Sequence, residues 1–350
     1  MGLENIYNEI KNSLDSGKDI LLFAFNATGK TRLSREINSN EIIESFSYNA
    51  ITEDYFYWDN ESNTMFMLRD NELFHFIESE GLDREISTNF NKFTDQKIEP
   101  IIMFETGEIQ FCIIEKTGER AFIKISKGEE TLFKWSVYYT AIVRIIDILK
   151  EKEEDRSNNG FNHLKYIVID DPVSSIDDYR IYTLAMQIIE LMQDIHKNNL
   201  NIKFLITTHH SLFYNILQNT MKNRKEKSDF FFMTKQECEP KLESIGNRLP
   251  ISYHIKCLQE IQKVLNEKLV KKIHFNMFRS VLEKTSIFLG YEKWQDLFEK
   301  YEDKANLYKI INMNSHERYV ELETDYLTNE QLNILQDGFD FFVKKYNIKL

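Results

Sequence analysis

The octet Ala24–Thr31 is the part of this sequence that most constrains how the chain can fold. It reads Ala-Phe-Asn-Ala-Thr-Gly-Lys-Thr, follows an apolar run at residues 20–25 and leads into helical spacing at residues 29–37. A strand that turns through Gly-Lys-Thr into a helix is typical of a phosphate-binding loop, because backbone N–H groups at a helix N-terminus cradle phosphates. Alanine replaces the usual glycine at Ala24 and Ala27, so the octet alone also fits an ordinary strand–turn–helix.

Six residues of the octet are predicted to surround a bound nucleotide: Asn26, Ala27, Thr28, Gly29, Lys30 and Thr31. In this prediction the Lys30 amine reaches the β- and γ-phosphates, and the Thr31 hydroxyl binds Mg²⁺. If Ala27 must adopt a left-handed backbone, its side chain costs about 1 kcal/mol. The substitution therefore puts the nucleotide affinity in question rather than the fold.

A second apolar run ends in two carboxylates. Residues 166–171 read Tyr-Ile-Val-Ile-Asp-Asp, which predicts a buried strand of the Walker B type. Asp170 is expected to support the Mg²⁺ shell, and Asp171 to position or activate the attacking water. Because Asp171 is shorter than the glutamate usual at this place, we expect slow hydrolysis.

Two shorter motifs lie before and after this strand. Ser126-Lys-Gly-Glu-Glu130 opens a helix and resembles an ABC signature, so Ser126, Gly128 and Glu129 are predicted to contact nucleotide. Residues 172–177 continue the Walker B strand as a D-loop. Its last residue, Asp177, is expected either to contact nucleotide or simply to cap the next helix.

His209 follows another apolar run, residues 203–207, and is expected to contact the γ-phosphate. The resulting order of P-loop, signature, Walker B, D-loop and histidine indicates an ABC-type P-loop ATPase. Such ATPases sandwich nucleotide between the P-loop of one protomer and the signature of another. One set of motifs per chain therefore predicts a homodimer or a higher homo-oligomer.

The remaining pattern predicts an α/β fold. Strands alternate with helical segments at residues 131–150 and 180–197, and residues 229–233 are a candidate fourth strand of a mostly parallel sheet. Residues 83–125 alternate as antiparallel strands do, which predicts an antiparallel β side lobe. Residues 222–250 are polar and contain prolines, as expected of a boundary.

Charge and composition narrow the class of protein. A net charge of −12 argues at first against a nucleic-acid partner, but residues 251–350 hold 15 basic and 15 acidic residues, so the whole acidic excess lies in residues 1–250. No apolar run approaches the ~20 residues that span a bilayer, and the polar N-terminus is not a signal peptide. We expect a cytoplasmic protein with no membrane partner.

The last hundred residues read as a smaller all-α domain, with helical spacing at 256–272, 273–289 and 298–312. Arg279 and Glu283 lie one helical turn apart, and His316 follows the third segment. Such side chains suit phosphodiester cleavage without a metal, because His and Glu can move protons and Arg can stabilise charge on the phosphate. From spacing alone, a surface ion pair with an unrelated histidine fits better.

The sequence also resembles the PrrC-type anticodon nucleases. The resemblance is carried by residues 24–34, 48–60 (Tyr-Asn-Ala-Ile-Thr-Glu-Asp-Tyr-Phe-Tyr-Trp-Asp-Asn), 126–130, 169–178, 207–209 and 288–291. That family's nuclease domain uses an Arg, a Glu four residues later and a His some thirty residues on. Arg279, Glu283 and His316 occupy those positions, so the resemblance implies that they are catalytic.

The resemblance further implies an ABC-like regulatory domain at residues 1–250 and a helical ribonuclease domain at residues 251–350. The implied substrate is tRNA, most often tRNA-Lys, cut next to the wobble base to leave a 2′,3′-cyclic phosphate and a 5′-OH. The implied nucleotides are ATP or GTP with Mg²⁺, and dTTP as a stabilising ligand. Antiphage defence beside a type I restriction-modification complex is implied as the setting.

Two alternatives stay open at this point. The first is a non-nucleolytic ABC ATPase clamp of the DNA-repair type, in which the C-terminal helices are an interaction module. Such clamps carry long heptad coiled coils between P-loop and signature, whereas residues 38–125 have no heptad pattern. The second keeps the nuclease but gives it another RNA as substrate, and a weaker resemblance to HEPN-type RNases is compatible with that.

Overall fold

The computed structural model describes most of the chain in two compact units, Met1–Pro250 and Ile251–Leu350. The described residues exclude 1–2, 26–27, 38–43, 50–52, 95–97, 116, 174–175, 224–226, 237–238, 246–252 and 316–327. Within the described part, no helix is both long and apolar enough to cross a membrane. The function of each unit stays a prediction.

The N-terminal unit contains eleven described strands and seven described α-helices. Its helices are α1 (Leu3–Asp15), α2 (Lys30–Ile37), α3 (Glu72–Glu80), α4 (Asp83–Phe90), α5 (Lys127–Lys150), α6 (Asp178–Lys197) and α7 (Ser211–Lys222). Its strands are β1 (Asp19–Ala24), β2 (Ser45–Tyr48), β3 (Phe56–Asp59), β4 (Thr64–Met67), β5 (Ile98–Met103), β6 (Glu108–Ile114), β7 (Arg120–Ile123), β8 (Tyr166–Asp170), β9 (Lys203–Thr208), β10 (Ser228–Gln236) and β11 (Glu239–Ser244).

The main sheet has the strand order β11-β10-β1-β9-β8-β2, and every neighbouring pair except β10–β11 is parallel. Strand β1 is buried along its whole length, as expected of a central parallel strand covered on both faces. Parallel strands end at the same edge of the sheet. The octet after β1, Asp171 after β8 and His209 after β9 are therefore brought to one edge, where open α/β sheets bind their ligands. The predicted α/β fold with a mostly parallel main sheet is confirmed.

Apolar side chains on the two faces of β1 explain why its sequence lacks a polar alternation. Ile20 and Leu22 face a core that includes Ile6 and Ile10 of α1. On the other face, Phe23 stacks on Phe232 of β10 at 5.6 Å between ring centroids. Both faces of the strand are thus buried, which fixes the position of the loop that follows it.

The antiparallel side lobe is also confirmed, with a correction to its extent. It contains the path β3-β4-β6-β5, with β7 paired to β6, so it begins at Phe56 rather than at residue 83. Residues 83–90 form helix α4 and not a strand. Ile86 and Phe90 are buried one helical turn apart, which is the spacing of an amphipathic helix and not the period of a strand.

The polar segment 222–250 was expected to be a boundary, and this prediction is wrong for most of its length. Residues 228–244 form the hairpin β10–β11 on the main sheet, with Asp229–Met233 as the predicted fourth strand. Pro240 is tolerated because β11 is the edge strand, where a missing backbone donor leaves no ladder bond unmade.

The C-terminal unit is helical in its described residues, as predicted. Its helices are α8 (Tyr253–Asn266), α9 (Lys272–Phe288), α10 (Lys304–Ser315) and α11 (Asn329–Lys345), with a 3₁₀ turn at Trp294–Phe298. Helix α8 ends earlier than predicted, before Lys268 at φ +57°. Helix α11, which the sequence analysis did not identify, packs closely on α10 because Gly338 has no side chain: a Cβ there would lie 2.6 Å from Leu307.

Candidate functional site

The phosphate-binding octet adopts a strand–turn–helix conformation in its described part. Gly29 has φ +108°, a backbone that L side chains rarely adopt, and helix α2 begins at the next residue. Thr28 is buried, and its hydroxyl donates to the Phe25 carbonyl at 2.7 Å. Asn26 and Ala27, which were predicted to line the nucleotide, lie outside the described residues.

Lys30 is the most buried cation of this edge, with a relative exposure of 7%. Its ammonium donates to the Ala24 carbonyl at 3.0 Å and to the Phe25 carbonyl at 3.4 Å. It also lies 3.5 Å from the Asp171 carboxylate. A buried ammonium is stable only with such partners, and a phosphate would offer it stronger ones.

The two residues predicted to bind Mg²⁺ lie in contact. Asp170 ends β8, where it accepts hydrogen bonds from the hydroxyls of Thr207 and Thr31. Burial raises the pKa of Asp170 despite these two hydrogen bonds. A carboxylate beside a hydroxyl is an oxygen ligand set of the kind that Mg²⁺ prefers.

Asp171 links the ends of β8 and β9. It has φ +55°, which is uncommon for a residue other than glycine. Its carboxylate lies 2.5 Å from His209 Nδ1 and accepts from the Thr208 hydroxyl at 3.3 Å. Burial pushes the pKa of Asp171 upward, but the hydrogen bond from His209 and the charge of Lys30 outweigh it and hold the pKa below its usual value.

Lys30, Asp171 and His209 thus form one polar network in which the carboxylate lies between two potential cations. The sequence predicted that these residues act on one nucleotide, but not that they contact each other. The arrangement orients Asp171 through groups that a nucleotide would itself engage. Its predicted role toward water stays a prediction.

A further carboxyl group at this edge was missed. Glu53 belongs to the block 48–60 that carries the family resemblance. Burial raises the pKa of Glu53, and the charges of Asp54 and Asp171 act in the same direction. Its place in that block was the signal available in the sequence, and the pairing of the preceding strand β2 with β8 appears only in the structure.

The predicted signature residues form the start of helix α5. Ser126 caps the helix by accepting from the Glu129 backbone N–H at 3.3 Å, and the Glu129 carboxylate accepts from the Ser126 N–H at 2.7 Å. Gly128 lies within the first turn. The capping box engages both the hydroxyl and the N–H of Ser126, and the residue is exposed to solvent at this helix N-terminus.

Asp177 caps helix α6, which is one of the two roles expected of it. Its carboxylate accepts from the Arg180 backbone N–H at 3.1 Å and lies 3.2 Å from the Arg180 guanidinium. The cap accounts for this aspartate without a nucleotide. Contact with nucleotide stays a prediction.

In the C-terminal unit, Arg279 is held between two helices. Its Nε donates to Glu283 Oε1 on the same helix at 2.8 Å, and its Nη1 donates to Asn312 Oδ1 of α10 at 3.3 Å. Asn312 was not assigned a role from the sequence, because only the packing of α9 on α10 brings it to Arg279. His316 comes just after α10 in the sequence and lies outside the described residues.

This arrangement suits an arginine that binds a phosphate. The guanidinium is planar and permanently charged, and acceptors on two helices fix its orientation. A side chain already held in place loses less conformational entropy when it binds, and a fixed donor is what stabilises charge that develops in a reaction. Glu283 lies beside it and is about half exposed to solvent.

The aromatic block at residues 55–58 belongs to the side lobe, where Phe56 is buried, Tyr57 is half exposed, and Tyr55 and Trp58 are partly buried. Trp58 stacks on Phe111 at 6.3 Å, and Tyr57 stacks on Phe66 at 5.3 Å between ring centroids. These rings therefore stabilise the antiparallel sheet.

Comparisons with known proteins show close similarity along most of the chain. The chain is 33% identical to a protein of Escherichia coli described as "Anticodon nuclease", in an alignment that covers 89% of this chain and 85% of that protein. A family profile described as an AAA domain matches residues 84–340.

Solved structures of low sequence identity are also similar. An SMC head bound to the C-winged helix domain of ScpA shares 10% identity at a TM-score of 0.36, over 69% of this chain and 92% of that one. The SMC head domain from Thermotoga maritima shares 11% identity at a TM-score of 0.27, over 66% of this chain and 91% of that one.

Proposed function

Because this chain belongs to the anticodon nuclease family, we propose that it is an endoribonuclease that cuts tRNA in the anticodon loop under the control of a bound nucleotide. The observation that supports this most is the Arg279 guanidinium, held by Glu283 and Asn312 in a helical unit. The finer proposal is tRNA-Lys, cut next to the wobble base.

The proposed reaction needs only groups of the chain and of the RNA. The 2′-hydroxyl oxygen attacks the adjacent phosphorus, and the bond from phosphorus to the 5′-oxygen breaks. One acid/base group takes the 2′ proton and another gives a proton to the leaving 5′-oxygen; we assign these steps to His316 and Glu283. Arg279 stabilises the added negative charge on the phosphate. The products are a 2′,3′-cyclic phosphate and a 5′-OH.

The N-terminal unit is proposed to bind ATP or GTP with Mg²⁺. Bound nucleotide supplies a phosphoanhydride whose hydrolysis can be coupled to a change in the nuclease. Lys30 would hold the phosphates, Thr31 and Asp170 would hold the ion, and Asp171 with His209 would orient the attacking water. Phosphates would also compete with Asp171 for the Lys30 ammonium. Binding of dTTP as a stabilising ligand belongs to the same proposal.

Assembly and setting are proposals as well. The signature residues Ser126, Gly128 and Glu129, together with Asp177, would meet the nucleotide of a second copy, which requires a homodimer or a higher homo-oligomer. The solvent exposure of Ser126 at the start of α5 supports this. A cytoplasmic antiphage role beside a type I restriction-modification complex, which ends in blocked translation, completes the proposal.

The alternative, an ATPase clamp of the DNA-repair type, has less support. It predicts a long coiled coil between P-loop and signature. In the described part of residues 38–125, the helices are α3 and α4, of nine and eight residues, and the strands other than β2 form the antiparallel side lobe.

The test is cleavage of total bacterial tRNA by the purified protein, with and without ATP, GTP or dTTP, followed by mapping of cut sites and end groups. We expect anticodon-loop cuts with 2′,3′-cyclic phosphate ends. Where cleavage does not depend on nucleotide hydrolysis, the cuts should persist in EDTA, because the proposed cleavage step uses no metal ion. Arg279→Ala should slow these cuts by about 10²- to 10³-fold, and Glu283→Gln should also slow them strongly. Arg120→Ala removes an exposed Arg–Glu pair of the side lobe and should cut normally.

Absence of any cleavage while nucleotide hydrolysis is intact would contradict the proposed nuclease and favour the clamp. Cuts outside tRNA would keep the nuclease and change its substrate. Normal cleavage by Arg279→Ala would remove the assigned role of that residue.

A further inference from the structure

Glu53 is a partly buried carboxyl group at the nucleotide edge that has no role in the steps described so far. The strand before it, β2, runs parallel to β8, and Tyr48 lies opposite Ile169. Asn49 and Asp170 therefore come next on two neighbouring strands. The Glu53 N–H donates to the Asn49 carbonyl at 3.0 Å, which holds Glu53 within one turn of the end of β2. The sheet thus brings this carboxyl group to the edge that carries the Walker B carboxylates.

The charge of Asp171 reaches Glu53. Burial raises the pKa of Glu53, and the charges of Asp54 and Asp171 add to that effect. The neighbouring Tyr48 hydroxyl and the Lys134 ammonium of α5 act in the opposite direction and are outweighed. Lys134 already pairs with a carboxylate of its own helix at 3.0 Å, so its charge is shared. The surroundings of Glu53 therefore favour uptake of a proton.

Asp171 is in the opposite situation, because polar partners surround both of its carboxylate oxygens. Oδ1 accepts from the Thr208 hydroxyl and from the His209 backbone N–H, each at 3.3 Å. Oδ2 lies 2.5 Å from His209 Nδ1 and 3.5 Å from the Lys30 ammonium. Hydrogen bonds and cations that stabilise the charged form of a carboxyl group oppose its protonation. Asp171 is thus a well-fixed charge and a poor proton acceptor.

We propose that Glu53 takes the proton from the water that attacks the γ-phosphate, while Asp171 orients that water. This inference rests on the proposed nucleotide hydrolysis and assigns the proton acceptor of that step. Glu53 would thereby supply the glutamate carboxyl group that is usual after a Walker B strand and that Asp171 replaces here.

The proposed step is balanced by groups of the nucleotide, the water and Glu53. The water oxygen forms a bond to the γ-phosphorus. The bond from that phosphorus to the β,γ-bridging oxygen breaks, and its electron pair stays on the departing nucleoside diphosphate. The water proton moves to a carboxylate oxygen of Glu53, which acts as a general base.

Two other roles would suit a carboxyl group at this place, and Glu53→Gln separates them from the proposed one. Glu53 could bind Mg²⁺ together with Asp170, or it could support the fold beside Tyr48. The amide has the size of the carboxyl group and keeps an oxygen acceptor, so a role in the fold would survive. It lacks the charge that binds a divalent cation strongly, so a Mg²⁺ ligand would be lost and the affinity for Mg²⁺ with it.

The test is single-turnover hydrolysis by the full chain of ATP or GTP radiolabelled in the γ-phosphate, with binding measured on a fluorescent analogue of the same nucleotide. We expect Glu53→Gln to lower the hydrolysis rate by about 10²- to 10⁴-fold, the usual contribution of a general base. Affinity for nucleotide and the Mg²⁺ concentration for half-maximal binding should be unchanged. In Glu53→Ala, added formate should restore part of the rate, because it brings a carboxylate into the vacated space.

Asp54→Asn is the matched control. Asp54 is the exposed neighbour of Glu53 and carries the same charge. The substitution therefore removes one negative charge from the same turn and leaves the proposed proton acceptor in place. Hydrolysis should continue close to the wild-type rate, and thermal unfolding checks that all three variants are folded.

Three results would overturn the inference. The first is hydrolysis at the wild-type rate in Glu53→Gln. The second is a weaker affinity for Mg²⁺ or nucleotide that accounts for the whole loss of rate, which would make Glu53 a ligand of the ion. The third is a loss in Glu53→Gln that formate does not relieve in Glu53→Ala, which would mark Glu53 as a structural group.

Failure of the proposed function is read from the wild type. Absence of nucleotide hydrolysis by the wild-type protein would contradict the proposed nucleotide chemistry and the role of Glu53 with it. A wild-type protein that hydrolyses nucleotide but cuts no tRNA would contradict the nuclease alone, and the Glu53 variants would still decide which group accepts the proton.

Discussion

The nucleotide edge of the N-terminal unit and the Arg279 cluster of the C-terminal unit are built in different ways. Lys30, Asp170 and Asp171 follow or end buried parallel strands, so the sheet itself brings them together. Arg279 lies on the surface of one helix and meets Asn312 only through the packing of a second. Strand ends that share an edge can be recognised from sequence, whereas a contact between helix faces depends on packing that the sequence does not display.

The difference in burial also decides whether a side chain contributes to stability as well as to activity. Removing one partner of a buried polar network leaves the others desolvated, which costs stability as well as function. Removing a partly exposed arginine leaves groups that water can solvate. We therefore expect variants of the nucleotide edge to lower both stability and activity, and variants of the Arg279 cluster to lower activity alone.

Arg279→Ala should have the largest effect. Loss of a fixed cation that stabilises charge on the phosphate should lower the rate of tRNA cleavage by about 10²- to 10³-fold, and nucleotide hydrolysis should be unchanged. Cleavage and hydrolysis are measured on one preparation. A parallel loss of both activities would break the distinction between the two regions.

Lys30→Ala should lower nucleotide hydrolysis by about 10²-fold, because the phosphates lose their buried cation. The measurement is release of inorganic phosphate at saturating nucleotide. Lys18→Ala is a useful control, since Lys18 forms a partly exposed ion pair with Asp229 and is not placed among the nucleotide residues. Hydrolysis at the wild-type rate in Lys30→Ala would refute the assigned phosphate site.

Asp171→Asn should destabilise the N-terminal unit by about 1–3 kcal/mol at neutral pH, since the buried Lys30 ammonium loses its charged partner. The folded-state pKa of Asp171 is lowered, so its contribution is present above the unfolded pKa of about 4 and is lost as the pH falls through the lower folded value.

Urea unfolding of wild type and Asp171→Asn between pH 3 and pH 7 tests this. The stability difference should be constant at neutral pH and should shrink below about pH 4. A difference that grows toward low pH would mean that the carboxylate is not stabilised by Lys30 and His209.

Asn312→Ala should have the smallest effect. One hydrogen bond that orients Arg279 is lost, which corresponds to cleavage about 2- to 12-fold slower, with thermal stability unchanged because Asn312 is only partly buried. Asn306→Ala, at an exposed position of the same helix, is the control. An effect as large as that of Arg279→Ala would mean that Asn312 contacts the substrate itself.

Much of the N-terminal unit could be predicted because apolar runs in the sequence, which form strands of the main sheet, end directly before the polar residues of the site. The apolar runs before Lys30, Asp170 and His209 were sufficient to predict strands of a mostly parallel sheet and roles around one nucleotide, and the strand order then places these residues at one edge. Predictions failed where another element supplied the decisive constraint. Residues 83–90 look alternating but are helical since Ile86 and Phe90 must face one core, and Pro240 lies in a strand because that strand is at an edge.

The C-terminal site was less accessible to prediction. The i, i+4 spacing of Arg279 and Glu283 is common on helix surfaces, so only the family resemblance distinguished it. Asn312 lies 33 residues from Arg279, and no local pattern connects them. The packing of α10 against α9, which depends on many apolar contacts, is what makes the arginine a fixed group.

The most direct test of the account is the rate of anticodon-loop cleavage by wild type and by Lys30→Ala, each with and without ATP or GTP. A nucleotide site that controls the nuclease predicts that nucleotide changes the wild-type rate and has no effect on Lys30→Ala. Equal cleavage by both proteins under every condition would show that the two units act independently and would contradict nucleotide control.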